Sequence, residues 1–195
     1  MVKEEVVEIV EESRQKKEVL KAFNATFLSL IPKETGADRP DKFRPIALCN
    51  VVYKNISKVI ANRLKTLLPS LICPKQSGFV EGCQILDGVI LIHEFLHSLQ
   101  ILRQPGMLIK LDITKAYDNL SWKFICRMLE AYGFCHDWVE WVMGLILTPF
   151  FSILLNGAST HPFQSSRGIR KGDPLSPFIF ILMTEGLSCL LCTKV

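Results

Sequence analysis

Two short runs hold the side chains best suited to chemistry: LIKLDITKAYD, residues 108–118, and RGIRKGDPLSP, residues 167–177. In the first, Met107, Ile109, Leu111 and Ile113 alternate with Lys110 and Asp112, the period-two pattern of a half-buried strand. Such a strand presents Asp112 on the face opposite its apolar neighbours, and a carboxylate on a rigid element suits a hard divalent cation. In the second, Arg167, Arg170 and Lys171 are interleaved with Gly168 and Gly172 and closed by Pro-Leu-Ser-Pro. Glycines let backbone approach a ligand closely, and the cations would neutralise a phosphorylated one. A third candidate is His93-Glu94-Phe95-Leu96-His97, an H-E-x-x-H pattern that on a helix sets two imidazoles on one face for zinc. The remaining histidines are His136 and His161, and no longer zinc-protease pattern follows, so a zinc metalloprotease is the minor reading.

The elements that must position these residues are legible from periodicity. Residues 2–23 mix acidic and basic pairs with Val6, Val7, Ile9 and Val10, which reads as a solvated surface helix. Ile31 to Arg44, with prolines and a glycine, reads as loop or short strands. From Val52, apolar residues recur at three and four positions (Ile56, Val59, Ile60, Leu64, Leu67, Leu68), predicting a helix that Pro69 stops. Its other face is expected to carry Lys54, Lys58, Arg63 and Lys65. A second helix, marked by Ile85, Val89, Ile92, Leu96 and Leu99, ends before Pro105-Gly106. After the Asp112 strand, Ser121 is a candidate cap for a helix closed by Gly133, and Asp137 for the next. Phe150 to Leu155 reads as a strand, Asn156-Gly157 as a hairpin turn, and Pro177 opens a last apolar helix. The expected class is α+β, helices packed on a small antiparallel sheet with the Asp112 strand central beside the 150–163 hairpin.

Composition narrows the function classes only a little. A chain of 195 residues with net charge +4 is large enough for one core and mildly basic, compatible with a nucleic-acid partner. Seven cysteines, an odd number scattered among apolar residues, fit free thiols in a reducing compartment, and Cys189 and Cys192 read as core packing. Apolar runs are broken by Pro149 and Glu185, so the expectation is a soluble intracellular protein of cytoplasm or nucleus, without signal peptide or membrane span.

The blocks LIPKETGADRPDKFRPIALCNVVYKNISKVIANRLKTLLP, QSGFVEGCQILDG, KLDITKAYDNLSW, LLNGASTHPFQSSRGIRKGDPLSPFIF and MTEGLSCLL follow one another from Leu30 to Leu191. In that order they resemble the reverse transcriptase of a LINE-type non-LTR retrotransposon of the plant kind. The resemblance implies a helical lead-in over 1–26, a fingers-like region over 27–106 and an incomplete palm over 107–195. It implies that Asp112 and the Ile113 carbonyl hold Mg2+, that Tyr117 lies under the nucleotide sugar, and that Lys33 and Arg44 meet the triphosphate. Lys171 and Gly172 would border the nucleotide, while Lys54, Lys58, Arg63, Arg167 and Arg170 would meet an RNA template and DNA primer.

Departures from the family pattern matter as much. Lys171 stands where a glutamine is usual, and Cys83 where an arginine is usual. The aromatic-Ala-Asp-Asp hairpin that completes the family's metal site does not occur, since Glu185 is the only acid after Asp173, and the thumb is missing. The sequence therefore reads as part of an RNA-directed DNA polymerase, inactive as given, with a non-catalytic RNA- or DNA-binding remnant as the alternative.

Overall fold

The computed structural model describes residues 2–74, 76, 78–80, 82 and 84–192, without the side chains of Val2, Lys3, Ile85 and Cys192. The departure at Cys83 thus lies outside the described residues. Helix α3 (Val51–Leu71) is the axis of the core: Tyr53, Ile56, Ile60, Leu64 and Leu68 are its buried side chains, at the three- and four-residue spacing that makes one helical face. Asn50 caps it by accepting a hydrogen bond from the Val52 N–H at 2.8 Å. Pro69 does not end it. The helix runs two residues further because a proline in the last turn forfeits only one N–H bond, and Ile72 N–H still reaches Leu68 O at 3.0 Å.

Following the short α5 (Ala116–Asn119), α6 (Trp122–Ala131), α7 (His136–Leu147) and α8 (Ser176–Cys192) pack around α3, burying Ile125, Leu129, Val142, Leu145, Ile179 and Leu182. Gly133, in the left-handed region at φ 83°, ends α6 as expected. The caps differ in detail. Ser121 and Cys135 are the N-cap residues of α6 and α7, and neither makes a side-chain cap bond. Asp137 lies instead in the first turn of α7, where with Glu140 it holds Lys17 Nζ, both at 2.6 Å.

The lead-in is two helices, α1 (Val2–Lys16) and α2 (Lys21–Asn24), and it is not merely solvated. Buried Ser13 accepts a 2.9 Å hydrogen bond from the Trp141 indole, and Val19 joins the core. The polar pattern of α1 conceals this because one small polar side chain on the inner face suffices for close approach.

The sheet is mixed, not purely antiparallel. Its order is β2-β1-β3-β4, with β1 (Ala25–Pro32) and β2 (Phe43–Cys49) antiparallel, β1 and β3 (Phe150–Leu155) parallel, and β4 (Ala158–Ser159) returning from the Asn156-Gly157 turn. Both turn residues have positive φ, 49° and 82°, as the tight primed turn demands. β1 therefore takes the place beside β3 expected for the Asp112 strand. Residues 107–113 form no strand, and Met107, Ile109, Leu111 and Ile113 are all exposed. Alternation qualifies a segment for a sheet, but a strand exists only with a ladder partner, and none of the described strands pairs here.

Helix α4 (Ile85–Leu102) forms where expected, closed at its start by reciprocal Gln84 and Asp87 bonds, yet most of its apolar residues are exposed. Cys189 is exposed as well, contrary to core packing for that residue, and the side chain of Cys192 lies outside the described residues. No helix among the described residues is long and apolar enough to cross a membrane.

Candidate functional site

The basic Gly-rich loop is the structural hinge of the site. It is stitched to two neighbours by backbone: Gly168 N–H to Leu120 O at 2.7 Å and Ile169 N–H to Tyr117 O at 2.9 Å on one side, and Ala47 N–H of β2 to Lys171 O at 2.8 Å on the other. The Trp122 indole adds a 2.8 Å bond to Gly168 O. This closeness explains the glycines. A Cβ on Gly168 (φ 87°) would stand 2.9 Å from Asp118 O, and one on Gly172 (φ 102°) 2.9 Å from Ala47 O.

Under the loop lies a buried polar cluster that sequence reasoning missed. Asp173 accepts hydrogen bonds from the Ser57 hydroxyl of α3 and from Ser176 Oγ at 3.1 Å, while Leu175 N–H donates to Ser57 Oγ at 3.1 Å. Arg170 turns inward and is 7% exposed. Its guanidinium lies 3.8 Å from the Tyr53 ring centroid and donates to Leu145 O at 2.9 Å and Thr26 Oγ1 at 3.3 Å. The available signal was Ser57, a polar residue on the apolar stripe of α3. Arg170 was expected on the nucleic acid. Burial commits it instead to holding the loop against α3, β1 and α7, since a buried guanidinium needs its donors satisfied.

Between loop and sheet opens a pocket of about 380 Å³. Leu28, Ile146, Phe151 and Phe163 form its apolar side; Asp118, Arg167, Arg170, Lys171 and Asp173 contribute its charges. Lys171 pairs with Asp118 at 2.6 Å in the lining of this pocket. Tyr117 is half-buried, stacked on Phe180 with ring centroids 4.8 Å apart, and burial pushes its phenol above the usual range.

The other expected site residues lie apart from this pocket. Asp112 is exposed, as anticipated, but in the extended 107–113 segment rather than on a strand. Lys33 and Arg44 sit exposed at the loop end of the β1–β2 hairpin, where Arg44 pairs across from Ile31 and Lys33 Nζ donates to Asp41 O at 2.7 Å. Neither lines the pocket. On α3, Lys54, Lys58 and Arg63 are exposed, but at 100° per residue Arg63 falls on the opposite flank from Lys54. There its charge acts on Glu11 of α1, helping to hold that carboxyl below its ordinary range, behind the larger effect of Arg14.

Burial raises all three tyrosines: Tyr53, Tyr117 and Tyr132, the last pushed up to about 12 while its hydroxyl donates to Leu182 O at 3.0 Å. A phenol whose folded value exceeds its unfolded value of about 10 stabilises the fold fully below pH 10 and loses that contribution as pH rises through the folded value. The urea midpoint is accordingly expected to fall between pH 9 and pH 12, and a flat profile there would contradict the burial of these rings.

Magnesium is the ion the resemblance implies, and a two-metal centre needs converging carboxylates. Among the described residues no three His, Cys, Asp or Glu side chains are grouped to hold a metal ion. The described residues do not form such a centre, nor does the H-E-x-x-H segment form a zinc site: His93, Glu94 and His97 are exposed on α4 and joined by no third described ligand.

A sequence profile of the family described as Reverse transcriptase (RNA-dependent DNA polymerase) matches residues 31–195. The chain belongs to the reverse transcriptase family. It is similar to the transposon TX1 uncharacterized 149 kDa protein of Xenopus laevis, 32% identical over 94% of this chain and 14% of that protein. It is also 33% identical to the retrovirus-related Pol polyprotein from type-2 retrotransposable element R2DM of Drosophila melanogaster, over 80% of this chain and 15% of that protein. Against the type-1 R2 polyprotein of Popillia japonica the identity is 28%, over 84% and 23%. The reverse transcriptase chain thus spans less than a quarter of the length of these relatives.

Proposed function

We propose that this chain is part of an RNA-directed DNA polymerase from a non-LTR retrotransposon of the LINE type, its sequence blocks resembling those of plant elements. The family match across 31–195 carries this reading, and the retrotransposon relatives give it its class. Its partners would be an RNA template, a DNA primer and deoxynucleotides. In this reading 27–106 is the fingers-like region and 107–195 part of the palm; the Gly-rich loop, docked on both β2 and the 117–120 turn, joins the two. Lys171, Gly172 and Tyr117 border the nucleotide, Lys33 and Arg44 stand outside that pocket, and Asp112 with the Ile113 carbonyl offers metal ligands that a further carboxylate must complete. Arg167, exposed at the pocket, meets the nucleic acid, whereas Arg170 acts through the loop it anchors.

A second reading, a non-catalytic RNA- or DNA-binding remnant, is favoured by one observation: α3 carries an exposed basic flank at Lys54 and Lys58. Both readings require nucleic-acid affinity. In gel shifts with RNA–DNA or DNA duplex across a salt series, binding is expected to be weak and salt-dependent. Replacing Lys54 and Lys58 together by alanine should reduce the log-log slope by about 2, since each lost phosphate contact contributes about 0.9. Arg63→Ala, on the α1 side, should leave it nearly unchanged. Absence of binding at low salt, or a slope indifferent to the double change, would sink the nucleic-acid reading of this face.

A further inference from the structure

Lys171 and Asp118 are not needed to hold the loop in place. Two backbone hydrogen bonds and an indole bond already fasten residues 168–169 to 117–122, and β2 fastens Lys171 through its carbonyl. The ion pair itself is only partly shielded, with Lys171 28% and Asp118 42% exposed. Pairs of that exposure contribute little to stability, so this one can open without disturbing the fold. It also borders a pocket rather than sealing an interior: both residues line the cavity under the loop. Of the other two cations at that cavity, Arg170 is committed to Thr26, Leu145 and the Tyr53 ring, while Arg167 is exposed at the rim. Lys171 is therefore a cation with a flexible stem, held at a pocket mouth by a partner that gives little stability in return.

We infer that Asp118 masks Lys171, and that the polyphosphate of a nucleotide binds this pocket by displacing the Asp118 carboxylate from the Lys171 ammonium. A triphosphate carries more charge than one carboxylate and offers the ammonium several oxygens, so the exchange favours the ligand while the aspartate sets its affinity. Asp118 is thus an affinity-determining residue of opposite sign to its neighbours: it weakens binding. The masking also accounts for a lysine at a position where the family has an uncharged amide, since in this chain the added charge has a partner in the pocket lining. The inference rests on the polymerase reading of the same site.

The test is titration calorimetry of the 195-residue chain with inorganic triphosphate, without divalent metal, in four forms: unchanged, Asp118→Asn, Lys171→Gln, and the double variant. Asp118→Asn should bind roughly two- to fivefold more tightly, the range that partly exposed ion pairs span, and Lys171→Gln more weakly. In the Lys171→Gln background Asp118→Asn should have no effect, because nothing remains to unmask. Melting temperatures should agree across the set within about 2 °C. Should Asp118→Asn tighten binding equally in both backgrounds, the aspartate acts as a general negative field and the masking is overturned. It is equally overturned if Asp118→Asn weakens binding, leaves it unchanged, or lowers the melting temperature strongly. Failure of triphosphate binding in every form, while duplex still binds through Lys54 and Lys58, overturns the inference alone; loss of both overturns the polymerase reading too.

Discussion

Asp173→Ala is expected to destabilise the protein by about 3 kcal/mol, visible in urea unfolding and as a drop in melting temperature on the order of 10 °C. The carboxylate is 6% exposed and gathers three elements. One oxygen accepts from Ser57 in the second turn of α3 and the other from Ser176 at the start of α8. Alanine leaves the Ser57 and Ser176 hydroxyls without this buried acceptor and opens a void between the loop, α3 and α8. Asp173→Asn, which keeps an acceptor but not the charge, should lose a smaller share. An alanine variant within about 1 kcal/mol of the unchanged chain would show that the cluster is solvated and does not hold the loop.

Template-directed primer extension by the purified 195-residue chain, with magnesium and all four deoxynucleotides, is expected to be undetectable. Nucleotidyl transfer on two metals requires carboxylates that hold both ions against the triphosphate, and the electrostatic stabilisation they supply is a dominant part of the acceleration. Asp112 stands on an exposed segment without a sheet partner, and the described residues supply no group of three ligands around it. Asp173, 6% exposed, is committed to Ser57 and Ser176. Extension that appears with the chain alone and disappears in Asp112→Ala would show that the segment closes into a metal site when substrate is present. Joining the chain to a palm segment carrying paired aspartates is the complementary arm. Gain of extension there, lost again in Asp112→Ala, would place Asp112 at the metal.

The sequence by itself determined the reverse transcriptase family, most of the longer helices and the hairpin turn, because these depend on local order: apolar spacing in α3, Asn156-Gly157 between β3 and β4, Gly133 after α6. It also marked the Gly-rich loop, since residues with positive φ against a neighbouring backbone leave glycine as their trace. What only the tertiary structure decided is who pairs with whom. Strand alternation at 107–113 was real in the sequence, yet β1 became the neighbour of β3, and a strand without a ladder partner is not formed. Arg170 and Arg167 look equivalent in the chain, but one packs under Tyr53 and the other is exposed, a distinction set by residues more than a hundred positions away. Lys54 and Arg63 read as one basic group until helical geometry placed them on opposite flanks. Local periodicity reports which face a residue takes; the long-range contacts that give that face its partner appear only once the chain has folded.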